Sequence, residues 1–338
     1  MERKIISVQT FQKNNDLIIA GLIVAIILMI IIPLPPLLMD FLLVFNITLS
    51  MVIFLITLFT LEALQFSIFP TLLLITTMFR LALNISSTRL ILSDAYAGDV
   101  ISAFGDFVVR GNYIVGFVVF LIITVVQFVV ITSGASRVAE VAARFTLDAM
   151  PGKQMAIDAD FGAGIITEAE AQERRAKLQR EADFFGSMDG ATKFVKGDAI
   201  AGVVITMINI IGGLIIGSLT MGMELVEALQ VYTVLTIGDG LVSQVPALLI
   251  STATGIMVTR SKTGRSFGRD ASAQMLNFPK VLALAAVILL ILGLVPALPN
   301  LLFLGISLGT FYLSQLLTRE EQRKNKKVEE LAEKKSKE

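Results

Sequence analysis

The chain has 338 residues, 55% hydrophobic and 17% charged; 28 basic and 28 acidic side chains leave no net charge, and mean hydropathy is +0.78. Several apolar runs of about 20 residues make the expected class an all-α integral membrane protein. The absence of cysteine and histidine excludes disulfides, thiolate or imidazole metal sites, Cys and Ser-His nucleophiles and histidine proton relays, so proton or ion handling falls to Asp, Glu, Lys and Arg.

In chain order, Arg3, Lys4 and Lys13 precede an apolar run at 17–38. No small-residue cleavage site follows its proline-rich 33–36 segment, so the run is read as a retained helix. Further spans are predicted at 41–61, 66–92, 113–132, 199–221, 231–258, 281–295 and 301–317, about eight in all. The last two are short and separated only by Pro296 to Asn300, which predicts a tight helical hairpin. The chain thus divides into helices 1–4 (1–132), a small, mainly helical cytoplasmic insert (133–198), helices 5–8 (199–317) and a charged cytoplasmic linker (318–338). With both termini in the cytoplasm, 25 of the 28 Lys and Arg lie in cytoplasmic segments and only Arg110 on the opposite side, as retention of positive loops requires. Tyr96, Tyr113, Tyr232 and Tyr312 fall near span ends, where interfacial anchors sit.

Ionisable groups inside spans carry the most information, because a charge near the bilayer centre is costly unless it faces protein or water. In the third span Thr76, Thr77, Arg80, Asn84, Ser87 and Thr88 form one polar stripe. Arg89 points to the opposite side near the outer end, beside Asp94, placed to snorkel or to pair with an acid. In the fifth span Gly213 and Gly217 suit close helix packing. The sixth carries Gly238-Asp239-Gly240, then Gln244 and Pro246, with Asp239 roughly 12 Å in from Val231 at the helical rise. The flanking glycines are expected to leave its backbone loosely held and closely approachable. A carboxylate there can hold a proton or a hydrated cation; the alternative is an Asp locked to Arg80 or another base.

The insert opens with RVAEVAARFTLDAMPGKQMAIDAD at 137–160, where Glu140 and Arg144 stand at i,i+4 and Pro151-Gly152 predicts a turn. Thr167 and Glu170 form a capping-box pattern that begins a helix with Glu170/Arg174 and Glu173/Lys177 pairs. Asp189, Lys193, Lys196 and Asp198 then lead into the fifth span. Spacing alone leaves open whether the insert is a moving element or a solvated hairpin. Asp158 and Asp160 lack the further oxygen ligands of a hard-cation site, so no metal is expected, transient sodium aside. Asp160-Phe161-Gly162 comes without a Gly-rich or catalytic loop, and Ser261-Lys262-Thr263-Gly264 has phosphate-loop residue types in the wrong order. Without a nucleophile-base set, an enzyme is not expected.

The 137–160 motif, with GSMDGATKFVKGDAIAG at 186–202, YTVLTIGDGLVSQVPALL at 232–249 and FRLALNISSTR at 79–89, resembles the FHIPEP export-gate family. Its branches serve the bacterial flagellum and virulence type III secretion, and TLDAMPGKQMAIDADFGAGIITEAEA is more similar to the flagellar branch. The likeness covers about 17–317. It implies a component of the bacterial cytoplasmic membrane that forms a nonameric ring and couples ion motive force to passage of unfolded export substrates. Implied partners are the FliP-FliQ-FliR pore, FlhB, the soluble export ATPase complex and membrane lipid, with no nucleic acid; protons or sodium are the coupling ions and no other cofactor is implied. The charged positions it implicates are Arg89, Arg137, Arg144, Asp148, Asp158, Lys193, Asp198 and Asp239. Arg80, Asn84 and Asp189 join them from spacing, with Arg144/Asp148 and Lys193 against Asp189 and Asp198 as rearranging pairs. Family members continue into a cytoplasmic domain that docks chaperone-bound substrates, so docking is not expected of these residues. An ion-coupled secondary transporter and a passive assembly scaffold are the alternatives; no inverted repeat relates 1–132 to 199–317.

Overall fold

The computed structural model describes residues 15–260, 266–295 and 299–337. Arg3, Lys4, Lys13, the 261–264 tetrapeptide and Pro296 lie outside the described residues. Those described form an all-α membrane protein, with six helices long and apolar enough to cross a bilayer, or seven if one bent pair is a single span.

The apolar run at 17–38 is not one helix. Helix α1 (Asn15–Ile31) stops before Pro33, and α2 (Pro36–Phe59) starts after an extended Pro35. Prolines lack the N–H that continues a helix and push the preceding residue out of the α region. A 3-10 turn (Ala63–Phe66) leads to α3 (Phe69–Asp94). The short, amphipathic α4 (Asp99–Val109), for which no span was expected, follows. Its N-terminus is capped from another helix: the Asp40 carboxylate of α2 accepts from the Asp99 and Val100 amides at 3.0 and 2.9 Å. Gly98, at φ 108°, is needed there, since a Cβ would overlap Asp40.

Helix α5 (Tyr113–Val126) runs through a π-helical segment (Gln127–Thr132) into α6 (Ser133–Asp148) and α7 (Met150–Gly162), one 50-residue path. Pro151 sits at the start of α7, where a missing N–H costs nothing. After a turn at Gly164, α8 (Glu168–Leu219) is a single 52-residue helix whose apolar second part is the span and whose charged first part packs back along α6 and α7. Its start has both hydrogen bonds of the capping box: Thr167 Oγ1 accepts from the Glu170 amide at 3.3 Å, and Glu170 accepts from the Thr167 amide at 2.7 Å.

Helix α9 (Leu225–Val258) is the centre of this unit, packed against α2, α3, α4, α5, α6 and α8. Of its most apolar window 56% is buried, against 11% for α8, whose exposed Val204, Ile208, Ile211 and Ile215 form an apolar outer surface. Tyr232 is not an interfacial anchor: it is fully buried over Gly213 and Gly217, where any Cβ would overlap its ring. The expected close-packing glycines therefore serve a tyrosine of the neighbouring helix.

A second unit comprises α10 (Phe267–Leu276), α11 (Pro279–Gly293) and α12 (Asn300–Lys337). Helices α10 and α11 meet at a 70° bend. Helices α11 and α12 pack antiparallel, with the Ser307 and Ser314 hydroxyls donating to the Ala286 and Pro279 carbonyls, each at 2.7 Å. Such bonds hold apolar helices together where water cannot compete.

Candidate functional site

The polar stripe of α3 is buried, with Thr76, Thr77, Arg80, Asn84 and Ser87 all at most 6% exposed. Thr76 and Thr77 return their hydroxyl protons to carbonyls of their own helix, which leaves Arg80 as the group that requires a partner. That partner is Asp198 of α8, 118 residues away in sequence, in direct ion-pair contact. Asp239 does not take that role, and Lys193, expected against both Asp189 and Asp198, reaches Asp189 of its own helix at 2.8 Å.

Asp239 of α9 is 6% exposed and bonds no base among the described residues. Asn209 of α8 donates to its carboxylate at 3.3 Å, while the Ser87 hydroxyl donates to the Asn84 carbonyl of its own helix at 3.0 Å. The glycines beside it do not loosen the helix. A Cβ on Gly238 would overlap the Ile101 carbonyl of α4, and one on Gly240 would overlap the Phe120 ring of α5. They admit two neighbours to contact distance, and the tightly packed α9 backbone fixes where the carboxylate sits.

Arg80, Asn84, Asp198 and Asp239, together with Thr124, Gln127 and Gln244, line one cleft among α3, α5, α8 and α9 with a volume of about 60 Å³. One arginine against two aspartates makes it net negative by one when both carboxylates are ionised. Such a chamber can hold a proton or a cation, and charge transfer through it would alter the Arg80–Asp198 pair.

The other expected positions lie elsewhere. Arg89 pairs with no acid among the described residues: it donates to the Ile30 and Ile31 carbonyls, both at 3.0 Å, at the end of α1. Terminal helix carbonyls lack internal donors and carry partial negative charge, so the guanidinium acts as a C-cap supplied by another helix. Arg137, Arg144 and Asp148 are exposed on α6 and form no salt bridge among the described residues, so the i,i+4 pairs expected at Glu140/Arg144 and Arg144/Asp148 are not made. Lys193–Asp189 apart, the ion pairs described here run between elements. Asp158 and Asp160 of α7 take Arg175 and Arg174 of α8, Lys153 reaches Glu181 at 3.5 Å, and Lys177 reaches Glu62 at 3.5 Å. Glu170 and Glu173 therefore do not bridge Arg174 and Lys177. Among the described residues no cluster of three or more acids could hold a metal. Sequence reading missed Asn209 and Gln127, whose signal was a lone amide in an apolar stretch.

Comparison of the sequence with known proteins matches it to a named group. The model of the FHIPEP family matches residues 26–338. The flagellar biosynthesis protein FlhA of Bacillus subtilis is 57% identical over 282 residues, covering 83% of this chain and 42% of that protein. Escherichia coli FlhA is 52% identical over 313 residues, 90% of this chain and 45% of the relative. The low calcium response locus protein D of Yersinia pestis is 50% identical over 321 residues, 94% of this chain and 46% of the relative. The chain thus spans a little under half the length of these curated relatives. No solved structure matches it. With the family model covering nearly all of its described helices, this chain belongs to the FHIPEP family.

Proposed function

We propose that the chain is a membrane component of the flagellar or virulence type III protein-export apparatus that couples an ion gradient to translocation of unfolded export substrates. Family membership supports the apparatus, and the observation that carries the coupling is the convergence of Arg80, Asp198 and Asp239 in one buried cleft. A scaffold needs no net-negative chamber inside its apolar helices; an ion path does. In this reading the protein sits in the bacterial inner membrane with both termini cytoplasmic, and assembles as a ring with FliP-FliQ-FliR and FlhB. The charged arms 133–198 respond to the state of the cleft, since Asp198 belongs both to it and to the helix that carries the arm. Protons or sodium are its only cofactors, it is a transport component rather than an enzyme, and the flagellar branch is the closer match in wording.

Asp239→Asn keeps the shape and removes the charge. The variant is expected to lose ion flux in reconstituted vesicles and secretion in cells. Unchanged flux and unchanged secretion together would sink the ion-path role.

A further inference from the structure

A second space opens between α5, its π-helical continuation and α8. Its volume of about 340 Å³ exceeds the 60 Å³ of the cleft, and the two share Thr124, Phe128, Val203 and Thr206 as a common wall. Apart from Thr124 and Thr206 the lining is apolar. Both hydroxyl protons are already committed, to the Phe120 and Gly202 carbonyls of their own helices, each at 2.9 Å, and Thr124 also accepts from Gln244 at 2.8 Å. An ordered water needs about two to four polar partners, so water does not fill this groove. Its occupant is an apolar chain.

The side chains choose between two kinds of apolar chain. Membrane helices pack over Gly, Ala and Ser, which let two backbones approach closely. None of these lines the groove, and Leu121, Val129 and Met207, which do, are 49–58% exposed. Such bulky side chains hold a helix backbone at a distance, whereas a slender, flexible acyl chain fits between them. Charge stands at the end of the groove nearest the arm. Lys196 precedes Val203 by seven residues and Ile210 by fourteen, which puts it on the groove-facing stripe of α8, about 10 Å beyond Val203. Arg137 follows Val129 by eight residues, roughly 12 Å further along the path into α6. Because α5 leads into the arm and α8 leads out of it, the two cations reach one level, at the edge of the apolar spans. Both are exposed and neither forms a salt bridge among the described residues, while Lys193 is taken by Asp189.

We infer that this groove binds an anionic phospholipid from the leaflet on the arm's side, one acyl chain between α5 and α8 and the headgroup phosphate at Lys196 and Arg137. Basic pockets between membrane helices at that depth suit anionic headgroups, and a lipid without net charge leaves both cations unanswered. The bound chain lies against Thr124, Phe128, Val203 and Thr206, so it closes the cleft wall toward the bilayer.

The test places the full chain in phosphatidylcholine nanodiscs with a trace of phosphatidylglycerol or of phosphatidylcholine that carries a photoreactive diazirine on its acyl chain. The phosphatidylglycerol is expected to label residues 117–129 and 203–210 about tenfold or more above the phosphatidylcholine. Lys196→Gln and Arg137→Gln should each cut that preference about fivefold, with labelling by phosphatidylcholine unchanged. Met207→Trp, which fills the groove from α8, should bring phosphatidylglycerol labelling at 117–129 down to the phosphatidylcholine level. Variants that insert poorly leave the parent to decide: besides its labelling preference, it should melt higher when phosphatidylglycerol replaces half of the phosphatidylcholine. Equal labelling of the parent by the two lipids overturns the inference and leaves the groove to any lipid of the bilayer. A preference that survives both glutamine substitutions overturns the headgroup site. Absence of labelling overturns it as well, and a photoreactive amino acid in place of Leu121 that then crosslinks to a second copy would make a helix of this chain the occupant.

Discussion

The cleft and the cytoplasmic arm use the same chemistry under opposite conditions. In the cleft Arg80 and Asp198 are about 95% buried, while on the arm Asp158 with Arg175 and Asp160 with Arg174 are roughly half exposed. Water screens the arm pairs, so each contributes about 0.2–1 kcal/mol and can open and reform at little cost. Burial removes that screening from Arg80 and Asp198: the pair gains little over an apolar substitute, yet losing either partner strands a charge. Helix α7 shows the same contrast in packing. It buries no residue and is held to α8 largely by its three ion pairs, whereas α3 and α9 interlock through buried side chains. The membrane part therefore holds its charges in fixed places, and the arm holds its helices through charges that can be exchanged.

The sharpest way to break this comparison is Arg80→Leu, which leaves Asp198 buried and unpaired. A loss of about 3–5 kcal/mol is expected, read as a lower melting temperature in detergent, with most of it recovered in the double variant Arg80→Leu/Asp198→Leu. A single variant as stable as the double one would mean that the pair is solvated in the folded protein. A smaller effect is expected at the start of α8. Thr167→Ala removes the capping hydroxyl and should cost about 1 kcal/mol locally, seen as faster amide exchange at residues 168–171. The same turn responds to acid. Hydrogen bonds from Thr167, with Arg174 adding a weaker attraction, hold the Glu170 carboxyl below its ordinary 4.5. Its contribution is therefore complete above pH 4.5 and is lost as the pH falls through the lower folded value. Thr167→Ala should flatten that acid dependence of exchange. The smallest change belongs to the exposed pairs: Arg175→Gln should shift stability by less than about 1 kcal/mol, and added salt should erase the difference. A loss there as large as that at Arg80 would refute the contrast.

Much of the cleft was legible because its members violate their surroundings. Asp239, Arg80 and Asp198 stand out as charges in or beside apolar runs, and the helical repeat places Asn84 and Ser87 on the face of Arg80. The capping box at Thr167 was legible for a different reason, since both partners lie within one turn. What could not be read were pairings that depend on where distant helices cross. The Arg80–Asp198 contact, the Arg89 cap on α1 and the Asp40 cap on α4 join residues 118, about 58 and about 60 positions apart, and no local repeat encodes them. Helix α4 escaped because 11 residues of mixed polarity resemble a loop between spans. The glycines around Asp239 were legible as close-approach positions, but the neighbours that approach, Ile101 and Phe120, appear only in the packed structure.

Helix α8 reaches from the cleft to the tip of the arm without a break. At about 1.5 Å per residue its 52 residues extend roughly 78 Å, and a hydrocarbon core of about 30 Å takes up well under half of that. The remaining length is a lever arm of roughly 45 Å with its fulcrum near Asp198. A tilt of about 5° at the membrane, no larger than the ordinary scatter of helix packing angles, sweeps the far end through roughly 4 Å. A displacement too small to open a gap among the buried side chains thereby becomes, at Glu168, about the width of a side chain.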